Sequence, residues 1–116
     1  MKYEELPPIS RNEVTDALES PGAVEAARAI LRMSLHETDE AWAETVCANA
    51  LRDRRSEVVA AAITGLGHLA RIHRVLSNPA IVDELRNLQR DSRFSGKAED
   101  ALEDISMFAS AATRAR

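Results

Sequence analysis

The chain has 116 residues, a formal net charge of −4 and few aromatic side chains. This length predicts one domain that can bury a core without disulfides or metals, and the acidic balance disfavours nucleic acid, which requires clustered cations. The abundance of alanine and the scarcity of Gly and Pro are typical of a helical protein, and the single cysteine, Cys47, fits a reducing compartment.

Six helices are predicted, over residues 11–19, 21–35, 39–52, 57–75, 79–90 and 96–112. Ser10 and Glu13 form a capping box that starts the first helix. Ser56 and Ser95 are expected to cap the fourth and sixth helices. Residues 1–9 are expected to be irregular.

The fourth predicted helix carries Gly65 and Gly67 within its apolar seam. Each glycine costs roughly 1 kcal/mol relative to alanine at an exposed helix interior. A kink is one explanation, but the apolar pattern continues to Ile72. We therefore favour close packing of this helix against its neighbours.

The short connections favour antiparallel neighbouring helices, and no segment alternates with period two long enough to make a strand. We predict an all-α fold, an α-α superhelix of about three helix pairs. The whole chain, 1–116, forms one domain, with a frayed tail at 113–116.

One motif occurs twice at a period of about forty residues. In the second pair it comprises Asp53, Val58, Ala62, Leu66 and Gly67. In the third pair it comprises Asp91, Ala98 and Leu102. This pattern resembles HEAT-type helical repeats, which implies a stacked scaffold that holds other macromolecules.

Three longer strings resemble a family of small bacterial HEAT-like proteins. They span residues 39–43, 65–73 and 98–105. Some members of this family act as immunity proteins beside secreted toxins, including those of contact-dependent inhibition systems. The resemblance implies a protein that binds and neutralises a cognate toxin domain without catalysis.

The sixth predicted helix carries four clustered carboxylates, Glu99, Asp100, Glu103 and Asp104. Pairs one helical turn apart repel each other, which weakens the helix by a few tenths of a kcal/mol per pair. A docking face for a basic partner would explain this cost. A solvated surface, helped by the positive end of the helix dipole, is the alternative.

In the fourth helix, Thr64, His68 and Arg71 follow helical spacing opposite the apolar seam. Second helices line the concave surface of a HEAT-like stack, so these side chains are a second candidate for partner binding. An ordinary solvent-exposed face is the alternative. The acidic helix and the concave face remain competing interfaces.

Arg52, Arg54 and Arg55 cluster at the turn before the fourth helix. They could contact phosphates, as in HEAT-like DNA glycosylases. Pairing with Asp53 and Glu57 is the simpler interpretation.

No cofactor or metal is predicted. His68 and His73 diverge around their helix, and no zinc-binding motif is present. Cys47 lies within an apolar stripe, which favours a buried side chain over a catalytic thiol.

The N-terminus is acidic and lacks a secretory signal, and no apolar run is long enough to span a bilayer. We expect a cytoplasmic, non-catalytic protein that binds a basic toxin domain. A structural adaptor in a larger complex is the alternative, and a DNA-binding protein is a less favoured one.

Overall fold

The computed structural model describes residues 6–109, and within that range the protein is helical and contains no strand. Six α-helices follow one another: α1 (Arg11–Glu19), α2 (Ala23–His36), α3 (Glu40–Ala50), α4 (Ser56–His73), α5 (Ala80–Leu88) and α6 (Ser95–Asp104). A π-helical turn, Ile105–Ala109, extends α6. The predicted all-α class with about six helices is confirmed. The frayed tail predicted at 113–116 lies outside the described residues.

Local capping sets two of the helix starts. The Ser10 hydroxyl accepts from the Glu13 amide at 3.1 Å, and the Glu13 carboxylate accepts from the Ser10 amide at 3.0 Å. The capping box predicted for α1 is therefore present. At α3, the Asp39 carboxylate accepts from the Trp42 amide at 3.1 Å.

The caps predicted at Ser56 and Ser95 are wrong. Each serine is the first helical residue, and Arg55 and Phe94 precede them without a side-chain capping bond. Both preceding side chains are fixed elsewhere: the Arg55 guanidinium bonds neighbouring turns, and the Phe94 ring is buried. These anchors start each helix one residue earlier than expected.

The longest helix, α4, is the centre of the fold. It packs between α2 and α6, while α3 lies against it on another side. The outer helices complete the pairs, because α1 packs on α2 and α5 packs on α6. The described part of the chain measures 38 × 31 × 24 Å. The apolar core therefore runs continuously through three stacked pairs.

Small residues let α4 approach its neighbours closely. A Cβ atom on Gly65 would lie 2.4 Å from Ser34 Oγ and 3.2 Å from Cys47 Sγ. A Cβ atom on Gly67 would lie 3.6 Å from the Ala101 Cα atom of α6. The helix continues unbroken through both glycines, so close packing rather than a kink explains them.

The predicted end of α4 at residue 75 is two residues too late. The helix ends at His73, and Arg74 adopts the left-handed conformation with φ of 61°. The Arg74 guanidinium lies over the Phe108 ring, 5.1 Å from its centroid. This reversal directs the chain into the connection to α5.

Candidate functional site

A groove of about 330 Å³ lies between α4 and α6. It brings together six of the seven side chains predicted for partner binding: Thr64, His68, Arg71, Asp100, Glu103 and Asp104. The seventh, Glu99, is exposed on α6 outside the groove lining. The acidic helix and the polar stripe of α4, which the sequence offered as alternatives, thus face each other across one groove.

Close helix packing forms the base of this groove. Gly67 and Ala101 are both buried and line it from opposite helices. An added side chain at Gly67 would meet Asp104 Oδ2 at 2.9 Å. The absence of a side chain at Gly67 therefore leaves space for the Asp104 carboxylate.

Arg71 links the two walls. Its Nε atom lies 3.7 Å from Asp104 Oδ2, and its Nη2 atom donates to His68 Nδ1. A guanidinium only donates, so Nδ1 accepts and the proton of the neutral imidazole is on Nε2. Burial, followed by the nearby Arg71 charge, lowers the pKa of His68 to about 4. His68 is therefore neutral at pH 7.

The alternative of an ordinary solvent-exposed face on α4 does not hold for His68. That side chain is only 5% exposed, and Thr64 is half-buried, so Arg71 is the exposed member. His68 lies at the contact between α4 and α6, and α2 and α3 cover other parts of the α4 surface. His68 contributes to the groove by orienting Arg71 rather than by presenting a free imidazole.

The acidic wall contains two kinds of carboxylate. Asp104 is half-buried and paired with Arg71. Asp100 and Glu103 are exposed and form no ion pair or hydrogen bond with another side chain among residues 6–109. With Arg71 and Lys97 as the cations, the groove holds three carboxylates and two positive charges. The groove therefore has a net charge of −1, and Asp100 and Glu103 are its carboxylates without an ion pair in the described residues.

The arginines at the α3–α4 turn are largely engaged within the protein. Arg55 donates to both Asp53 oxygens and to the backbone carbonyls of Leu18 and Ser20. Arg52 forms an ion pair with Glu84 at 3.1 Å. Intramolecular pairing is thus observed for these two arginines, although the sequence had not indicated the carbonyls or Glu84.

Cys47 is buried, as its apolar surroundings predicted. Burial raises the pKa of its thiol to about 12, so the nucleophilic thiolate is not populated near neutral pH.

Across residues 6–109, no group of three or more His, Cys, Asp or Glu side chains is arranged to hold a metal ion. None of the helices in that range has the length and apolar character needed to cross a membrane.

Sequence reasoning missed the buried carboxylate of Glu44, which is only 2% exposed. The helical period offered a signal, since Glu40, Glu44 and Cys47 follow spacings of four and three and share a face of α3. A carboxylate within an apolar stripe indicates a buried hydrogen-bonding partner. That partner is the backbone of the α4–α5 connection.

Comparison with known proteins gives no relative: no family model matches the chain, and no curated protein or solved structure is significantly similar to it. The resemblance to HEAT-like immunity proteins therefore stays a prediction from the residues. The arguments for function depend on the geometry of the groove.

Proposed function

We propose that this chain is a non-catalytic protein-binding module whose α4–α6 groove holds a basic segment of a partner protein. The observation that supports it is the convergence of Thr64, Arg71 and the acidic wall of α6 on one groove. We further propose that the partner is a toxin domain and that binding, in the cytoplasm, neutralises it. The sequence resemblance to immunity proteins motivates this narrower proposal.

A rigid groove suits inhibition by binding. Both walls are helices, and the Gly67–Ala101 contact and the Arg71–Asp104 pair fix their separation. Little conformational entropy is lost when a partner binds such a preorganised surface. No reacting group is required, because covering a functional surface of the toxin is sufficient.

Charge complementarity favours a basic partner. Asp100 and Glu103 form no ion pair within residues 6–109, so an incoming lysine or arginine replaces water rather than an existing ion pair. Exposed charges of this kind mainly accelerate association, and salt screens their effect. Binding should therefore weaken as ionic strength rises.

Reversing both free carboxylates, with Asp100→Lys and Glu103→Lys, should weaken partner binding by at least roughly tenfold, or about 1.4 kcal/mol. The new positive charges would repel a basic segment. The measurement is calorimetric titration with the product of the adjacent upstream gene at low and moderate salt. Thermal unfolding of the variant checks that it remains folded.

The matched control carries the same change in charge on α1, with Asp16→Lys and Glu19→Lys. These exposed residues lie on a helix that packs on α2 rather than beside the groove. The control should keep wild-type affinity. Equal weakening in both variants would show that net charge, not the groove, governs binding, and no effect in either would remove the groove as the interface.

An adaptor role on the same groove is the alternative proposal. An adaptor also binds its partner, but it does not abolish the partner's activity. Co-expression separates the two roles. An immunity protein restores growth to cells that produce the neighbouring gene product, and the groove variant loses this protection.

A further inference from the structure

Two carboxyl groups of α3 hold the connection between α4 and α5. The Glu44 side chain is 2% exposed, and its oxygens accept from the backbone amides of Ser77 and Asn78 at 2.8 and 2.9 Å. One turn earlier, Glu40 Oε1 accepts from the Ser77 hydroxyl. The pair thus binds the connection by three hydrogen bonds.

One oxygen of this arrangement lacks a donor. Glu40 Oε2 is buried and accepts no hydrogen bond from any group in residues 6–109. Glu40 and Glu44 are also one helical turn apart, where two negative charges repel each other strongly when shielded from water. A proton held between the two carboxyl groups would satisfy the oxygen and remove the repulsion.

We propose that Glu40 and Glu44 share one proton, and that this proton-bridged pair is a pH-sensitive latch on the α4–α5 connection. Loss of the proton leaves two negative charges side by side in a partly buried site. Their repulsion opposes the hydrogen bonds to Ser77 and Asn78 and loosens the connection. The latch is independent of the proposed partner binding, although the connection that it holds leads into α5, which packs on the groove helix α6.

Among the described residues around Glu44, the ionisable group that interacts with it is Glu40. On α3, Cys47 also lies nearby, but its raised pKa of about 12 keeps it neutral. From the connection, Ser77 and Asn78 face the pair and do not titrate in this range. At the adjoining end of α4, His73 and Arg74 form no hydrogen bond or ion pair with either carboxyl within the described residues.

The charged side chains of α5 pair with groups other than Glu40 and Glu44. Glu84 pairs with Arg52, and Asp83 lies 4.0 Å from Arg86. At α4, Arg71 pairs with Asp104 on the groove side. No cation of these helices forms an ion pair with Glu40 or Glu44 within residues 6–109, so the shared proton is what neutralises the repulsion.

The titration of Glu44 agrees with this geometry. Burial, followed by the hydrogen bond with Glu40, raises its pKa from an ordinary value of 4.5 to about 8, against the opposing effect of the Ser77 and Asn78 amides. The folded state therefore binds a proton that the unfolded state releases. This stabilisation is fully present below pH 4.5 and is lost as the pH rises through about 8.

The test is chemical denaturation of the full chain between pH 5 and 9.5. In the wild type, the unfolding constant should rise by up to tenfold per pH unit until the pH reaches about 8. In the Glu40→Gln variant, the amide donates permanently to the Glu44 carboxylate. This variant should show a shallower profile than the wild type, because only burial still raises the Glu44 pKa, and it should exceed wild-type stability at pH 9.

The control is Glu19→Gln, which removes an exposed carboxylate on α1 and should keep the wild-type slope. A second readout follows the carboxyl carbon resonance of Glu44 in the wild type, which should titrate near pH 8. Titration of Glu44 below pH 6, or an unchanged slope in Glu40→Gln, would overturn the latch. If Glu40→Gln does not fold, the titration of the Glu44 carboxyl resonance in the wild type tests the proposal.

Discussion

Replacing Gly65 by alanine is expected to lower the free energy of unfolding by about 1–3 kcal/mol. The added Cβ atom would lie 2.4 Å from Ser34 Oγ and 3.2 Å from Cys47 Sγ, and both neighbours are buried. Rotation of Ser34 would break the hydrogen bond that its hydroxyl donates to the Ile30 carbonyl at 2.8 Å. The added methyl group therefore costs either this buried hydrogen bond or a shift of the α4 backbone. Urea denaturation measures the loss.

Gly96→Ala is the matched control, because a Cβ atom at Gly96 meets nothing within 4 Å. At this position in α6, alanine should stabilise the protein by up to roughly 1 kcal/mol. Removing the Ser34 hydroxyl in the Gly65→Ala background should recover part of the loss, which a double-mutant cycle measures. A Gly65→Ala variant as stable as the wild type would contradict the close approach of α4 to α2 and α3.

Arg55→Ala is expected to lower the free energy of unfolding by about 2–3 kcal/mol. The Arg55 guanidinium links the turn before α4 to the turn after α1, because it donates to Asp53 in the first turn and to the carbonyls of Leu18 and Ser20 in the second. Its side chain is 23% exposed, so the hydrogen bonds are partly shielded from water. Truncation leaves two carbonyls and a carboxylate without this donor. Thermal and urea unfolding both measure the effect.

The neighbouring Arg54 supplies the control. It is exposed, and within residues 6–109 it forms no hydrogen bond or ion pair, so Arg54→Ala should change stability by less than about 0.5 kcal/mol. Arg55→Lys should remain well below wild-type stability, because lysine keeps the charge but its single ammonium cannot reach all four acceptor oxygens that the planar guanidinium bonds. Wild-type stability in Arg55→Lys would show that only the positive charge of Arg55 stabilises the turn.

Local chemistry explains which parts of the fold were predictable. The start of α1 follows from Ser10 and Glu13, which lie within one turn and bond backbone groups beside them. The other helices follow from apolar periodicity. The starts of α4 and α6 were missed by one residue because Arg55 and Phe94 are fixed by distant groups. Contacts of that range leave no trace in the spacing around a helix start.

The candidate site was predictable as a set of residues but not as a shape. Helical spacing identified Thr64, His68 and Arg71 on one helix and the carboxylates on another, and left them as competing interfaces. Their meeting in one groove depends on the register between α4 and α6, which Gly67 and Ala101 set together. The burial of His68 follows from the same contact, so its single-helix pattern could not reveal it.

The central position of α4 disfavours partial unfolding of this protein. Because α4 packs against α2, α3 and α6, detaching the last pair would expose to water the buried surface that α4 and α6 share. Partial melting from one end is thus disfavoured, unlike in long repeat arrays. Calorimetry should give one transition whose measured and van't Hoff enthalpies agree. A chain truncated after residue 76 should not melt cooperatively at all.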